Sequence, residues 1–313
     1  MASPIKIADV YKLSKKFVKT QQQKLRLTIY VDPRTDDELI AQVCELLRPA
    51  TGRSQVFVRI LSGERGSDTA LLGLEKQMTA RLVLCRHAAD VANLEPLPAA
   101  TCVVVADELR SVAAHELGVS ILDVVSPCSG DLEAQLAVWF STTLPAKRLT
   151  IAGDFLFTRT EISHDICSVT SRQNAVIALV PFTRGADMPV LLANQCKMLF
   201  QLALIRGLKL NAKRIPELVV TAGIALVGRR LAGRLTSRFA PVRWVAQGAV
   251  AYGLTMALGQ AACVYYEKRA QVEQEQAALK ALNAAEQHLE AAGLDNPTSV
   301  LRGMLAEGSA AQE

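Results

Sequence analysis

The chain has 313 residues, too many for one small domain and enough for two. Half of them are apolar, the mean hydropathy is +0.20 and 21% are charged, which excludes a globally disordered chain. The net charge of +5 is unevenly placed: residues 1–26 carry seven Lys/Arg against Asp9, residues 206–243 carry nine against Glu217, and the rest is acidic.

Two basic zones on an otherwise acidic protein attract anionic surfaces, whether lipid or nucleic acid. Residues 1–24 read as a basic amphipathic lead, with Ile7, Val10, Tyr11, Phe17 and Val18 toward one side of a helical wheel. No apolar run of a secretory signal is present there. Residues 25–147 read as α/β. Strands are predicted at Leu25–Val31, Gln55–Leu61, Ala80–Cys85, Thr101–Ala106 and Ile121–Val125, and helices at Asp37–Leu47 and Asp131–Thr143. That alternation predicts a mostly parallel sheet covered by helices.

Residues 148–164 read as a linker, followed by a helix over Ile166–Ala178 and a turn at Thr183–Asp187. The 189–206 segment predicts a helix with one narrow polar stripe, Asn194, Lys197 and Gln201, so it belongs inside a bundle or in lipid. Leu218–Gly228 is uncharged for 11 residues, too short to cross a bilayer. Trp244–Tyr266 is uncharged for 23, long enough to span but diluted by Gly, Ala and Gln. Ala249, Gly253, Ala257 and Ala261 recur every four residues and predict a helix-packing stripe. Residues 165–268 thus form an apolar helical domain, and 269–313 a C-terminal helix and tail with Gly293 as a C-cap.

The chemistry expected of an enzyme is missing. Seven cysteines include no C-x-x-C pair and read as reduced core thiols of a cytosolic compartment. Four scattered histidines have no metal-site spacing. After the first strand, where a phosphate loop needs glycine, lysine and bare N–H groups, the chain has Asp32-Pro33-Arg34-Thr35-Asp36-Asp37-Glu38. Its acids complement the helix dipole and repel phosphate. No G-K, D-x-x-G, N-K or G-x-G-x-x-G occurs. No catalytic residue, cofactor or metal ligand is therefore assigned.

The stretch Asn174–Pro181, then Gly185-Ala-Asp-Met-Pro189, then Leu191–Gly207 resembles a helical domain of unknown function. That domain commonly follows Era-like GTPase domains in bacteria, in the YcjF-type group of membrane-associated proteins. The resemblance covers roughly 165–268. Val103–Asp107, Ala113–Gly118, Ile121–Ser126 and Gly130-Asp131-Leu132-Glu133 are similar in order to the last third of an Era-like domain. Where that family has Asn-Lys-x-Asp, this chain has Ala106-Asp107-Glu108-Leu109, so no GTPase residue is carried over. The resemblance implies a degenerate, nucleotide-free GTPase-like module; the alternative is an unrelated α/β domain with similar spacing.

The leading expectation is a non-catalytic interaction or scaffold protein at the cytoplasmic face of the cell membrane. Anionic lipid would meet Arg229, Arg230, Arg234, Arg238, Arg243, Trp244, Lys268 and Arg269. A protein partner of unstated kind and self-association complete the expected interactions. One alternative is an atypical nucleotide-binding regulator of the GTPase superfamily, and the alternative localisation is cytoplasmic. Another is a nucleic-acid-binding protein using the basic zones, but aromatics are only 5%, too few for stacking platforms, so no nucleic acid is expected.

Overall fold

The computed structural model describes residues 24–62, 78–94, 97, 100–179, 188–208 and 243–291. Five apolar runs become strands: β1 (Leu25–Val31), β2 (Ser54–Ile60), β3 (Ala80–Cys85), β4 (Thr101–Val105) and β5 (Val124–Val125). All pair in parallel, in the order β2-β1-β3-β4-β5. Every residue of β3 and β4 is buried, as is all of β1 but Arg26. Strands covered on both faces need near-continuous apolar sequence, and Arg81-Leu-Val-Leu-Cys85 and Thr101-Cys-Val-Val-Val105 supply it. Tyr30, Val83, Cys85, Val103 and Val105 share one core with Val91, Leu94, Ala113, Leu117 and Val124. At the edge, β2 leaves Phe57, Val58 and Ile60 exposed.

Three helices belong to the sheet region: α1 (Asp37–Leu46), α2 (Arg110–Glu116) and α3 (Leu132–Thr143). Leu39 and Val43 of α1 are buried one turn apart, and its first turn carries Asp37 and Glu38. Asp131 caps α3 by accepting from Glu133 N at 3.0 Å. Gly130 before it sits at φ 134°, ψ −162°, a conformation essentially restricted to glycine. The last strand is shorter than its apolar run. Ile121–Asp123 forms a 3-10 turn because Ser120 Oγ accepts from Leu122 N at 3.2 Å, and this leaves Ile121 and Leu122 exposed.

Residues 148–164, expected to be a linker, are instead helical and packed. They form α4 (Arg148–Asp154), one 3-10 turn and the start of α5 (Arg159–Leu179). Leu149, Ile151, Ala152 and Phe155 are buried, and Phe155 stacks on Phe140 of α3 with centroids 6.0 Å apart. Buried Asp154 accepts from Thr51 and Ser54, and its carbonyl accepts from Ala50 N at 2.8 Å. So apolar content and one carboxylate fasten this stretch to the loop between α1 and β2.

The remaining helices are α6 (Met188–Ile205) and α7 (Arg243–Ala291). The chain divides into two compact units, Met1–Cys263 and Val264–Glu313. Within the first, α5 and α7 run antiparallel. Gly248 lies against Ala175 and Leu179, Thr255 against Asn174, and Gly259 against Cys167. Residues 1–23 of the expected lead, the Leu218–Gly228 run and the Gly293 cap lie outside the described residues.

Candidate functional site

An open parallel sheet binds ligands outside the carboxyl ends of its strands, where the strand order reverses. In the order β2-β1-β3-β4-β5 that point lies between β1 and β3. The loop after β1 is Asp32-Pro33-Arg34-Thr35. Its backbone donors are used internally or absent. Asp32 N donates to Leu84 O at 2.9 Å, and Pro33 has no N–H. Arg34 N donates to Asp32 Oδ1 at 2.8 Å, and Thr35 N to Asp32 O at 2.9 Å. Arg34 closes back on Asp32 through Nε and Nη2 at 3.0 and 2.9 Å, and reaches Asp90 Oδ1 through Nη1 at 2.9 Å. Burial alone would raise the Asp32 pKa. The hydrogen bonds and charge of Arg34 outweigh it and hold the carboxyl below its ordinary value.

The ends of β3 and β4 continue the pattern. Arg86 Nε donates to Asp107 Oδ2 at 2.6 Å. His87 Nδ1 lies 3.2 Å from Glu108 Oε1, and Ala88 N donates to Glu108 Oε2 at 3.2 Å. His87 N donates to Asp90 Oδ2 at 2.9 Å. Beyond β5, Gln135 brackets the Ser126 backbone, accepting from its N–H at 3.1 Å and donating to its carbonyl at 2.8 Å. The carboxyl edge is thus a self-paired cluster in which Asp32, Asp90, Asp107 and Glu108 outnumber Arg34 and Arg86. Among the described residues no group of three or more His, Cys, Asp or Glu is placed to hold a metal ion.

The His87–Glu108 contact escapes any search by local spacing because 21 positions separate the two residues. Only the parallel pairing of β3 with β4 brings them together. The one available signal is that both closely follow apolar runs, where a parallel sheet presents its carboxyl ends.

The expected lipid-contact residues fall only partly among the described residues. Arg229, Arg230, Arg234 and Arg238 lie outside the described residues, and Arg243 and Trp244 are the first two residues of α7. In the second unit Lys268 is exposed, while Arg269 donates to Tyr265 Oη at 2.6 Å and sits 3.6 Å from Glu273. Ala249, Gly253, Ala257 and Ala261 are all exposed, and nothing lies within 4 Å of where a Gly253 Cβ would be. The buried stripe of α7 is offset from them: Gly248, Ala251, Thr255, Gly259 and Ala262. It too is made of small residues, and it seats α7 on α5. Among the described residues no helix is long and apolar enough to cross a membrane. No family model, no curated protein and no solved structure matches the chain.

Proposed function

We propose that the protein is a non-catalytic interaction protein that docks at an anionic membrane surface. Its helical half meets the lipid, and its α/β module, holding no nucleotide, turns an acidic edge toward a protein partner. The observation that carries the docking is the partition of charge. Residues 166–266 contain twelve Lys/Arg and only two acids, Asp187 and Glu217. A polybasic, apolar surface gains about 1 kcal/mol per cation near an anionic leaflet. With no spanning helix among the described residues, the proposed mode is surface docking.

The ion-paired edge supports the other half of the proposal. A phosphate site needs free backbone N–H groups and positive charge. The 32–35 loop has spent its donors, and the carboxylates around it outnumber the guanidinium groups. Two measurements on the full chain test the proposal. Sedimentation with phosphatidylglycerol vesicles is expected to carry the protein down, whereas phosphatidylcholine vesicles leave it in the supernatant. Calorimetric titration with magnesium and GTP is expected to give no binding heat. Failure on phosphatidylglycerol overturns the docking. Saturable heat instead makes the protein a nucleotide-binding regulator.

A further inference from the structure

Between α5 and α6 runs an open groove of about 570 Å³, lined by Arg172, Gln173, Val176, Ile177, Val190 and Asn194. Its aliphatic residues are exposed, Val176 by 61% and Val190 by 47%, with polar Gln173 and Asn194 beside them. Its frame is fixed by a string of polar side chains across three helices. Asn194 Nδ2 donates to Asn174 Oδ1 at 3.0 Å, and Asn174 Nδ2 donates to Thr255 Oγ1 at 3.1 Å. Asn174 is fully buried, so the string also fixes the spacing of the helices. Among the described residues lining the groove, Arg172 alone is charged; it is exposed and braced by Ser168 Oγ at 3.0 Å. From residue 166 to 179, and throughout 188–208, there is no Asp or Glu.

We propose that this groove is the face by which the protein enters an anionic bilayer. Val176 and Val190 sink into the acyl boundary while Arg172 stays with the headgroup phosphates. The inference rests on the membrane-docking reading above and assigns it a surface. The charge selects lipid: the lining holds one exposed cation and no acid, and the two helices that form it carry no Asp or Glu over 166–179 and 188–208, which suits a uniformly anionic surface.

The test uses the full-length protein and vesicles with and without phosphatidylglycerol. Val176→Glu combined with Val190→Glu is expected to weaken binding about tenfold or more, and Arg172→Glu to weaken it to a lesser degree. Val112→Glu, at a valine 52% exposed on α2, is expected to bind like the parent. If the double variant loses helicity, Val190→Trp serves instead. The fluorescence of the introduced indole is expected to be quenched by lipids brominated along the acyl chain. A parent that binds while the double variant binds within about twofold, or an indole at position 190 that the brominated lipid leaves bright, overturns the groove and leaves the docking reading standing. A parent that ignores phosphatidylglycerol removes both. Self-association abolished by the same substitutions, with vesicle binding intact, assigns the groove to a second copy of the chain and overturns the proposal.

Discussion

A carboxylate only 1% exposed keeps its place in a fold by receiving hydrogen bonds. Asp154 receives them from Thr51 and Ser54, two hydroxyls about 100 residues away in sequence. Removing the acceptor strands the buried Ser54 hydroxyl and leaves the half-buried Thr51 hydroxyl without its acceptor. Asp154→Ala is therefore expected to cost about 3 kcal/mol, read as a lower urea midpoint, and Asp154→Asn less. A loss under about 1 kcal/mol would mean that water replaces the carboxylate there. Asp32 makes a different argument because its partner is charged. Arg34 holds the folded-state pKa of Asp32 below its unfolded value, so the folded state binds fewer protons than the unfolded chain. The pair's stabilisation is complete above the unfolded carboxyl value of about 4 and is lost as pH falls through the folded value. Arg34→Met is accordingly expected to lower stability most near neutral pH, with the gap to the parent closing as pH falls through the folded value. Urea unfolding of both proteins across the acid range reads that gap. A gap that stays constant with pH, or no gap at neutral pH, would show that the pair contributes nothing.

Helix α7 separates two kinds of glycine. A Cβ at Gly259 would press on Cys167 Sγ, lie 3.2 Å from Cys167 Cβ and 3.3 Å from Met198 Sδ, and push α5 and α6 away. A Cβ at Gly253 meets nothing within 4 Å. Gly259→Ala is accordingly expected to destabilise by about 1–3 kcal/mol through overpacking. Gly253→Ala is expected to stabilise by about 0.5–1 kcal/mol, since alanine is the better helix former. Thermal unfolding of the two variants decides it, and equal shifts would contradict the observed seating of α7. The same helix shows what a sequence can and cannot say. Small residues stand at 248, 251, 255, 259 and 262 as well as at 249, 253, 257 and 261, so composition identifies a close-packing helix without identifying its packed face. Strands are easier to read: β1 and β3 coincide with their apolar runs, because a strand buried on both faces has few polar positions to blur its ends. The 148–164 stretch reads wrongly as a linker because Pro145, Lys147 and Arg148 look like a boundary. Asp154 and Arg148 are instead drawn in by partners that sequence separation hides, Arg148 by Asp165. The carboxyl-edge cluster is hidden for the same reason, since, apart from Asp32–Arg34 and the His87–Asp90 contact within one loop, its pairs join two different strand ends.

On the scale of the whole chain, charge is sorted rather than spread. Four acids meet at the carboxyl edge of the sheet, whereas residues 166–266, about a third of the chain, carry twelve of the 35 Lys/Arg but only two of the 30 Asp/Glu. Such sorting raises self-repulsion within the helical half, a cost offset when an anionic surface neutralises it. It also sets how binding responds to salt. The Debye length falls from about 10 Å at 0.1 M to about 3 Å at 1 M, so attraction between a cationic face and a leaflet is screened across that range. The groove's aliphatic residues are indifferent to screening and add a smaller, salt-resistant part. Under the proposed surface docking, native protein in a membrane fraction is therefore expected to be largely released by about 1 M salt, and completely by alkaline carbonate. Release should be steeper for a variant with the groove valines replaced by Glu, which retains only the electrostatic part. Retention through carbonate would mean that chain beyond the described residues inserts as an integral anchor, and the docking would then be a consequence of insertion rather than of charge. A protein absent from the membrane fraction even at low salt would leave the sorted charges to a soluble anionic partner.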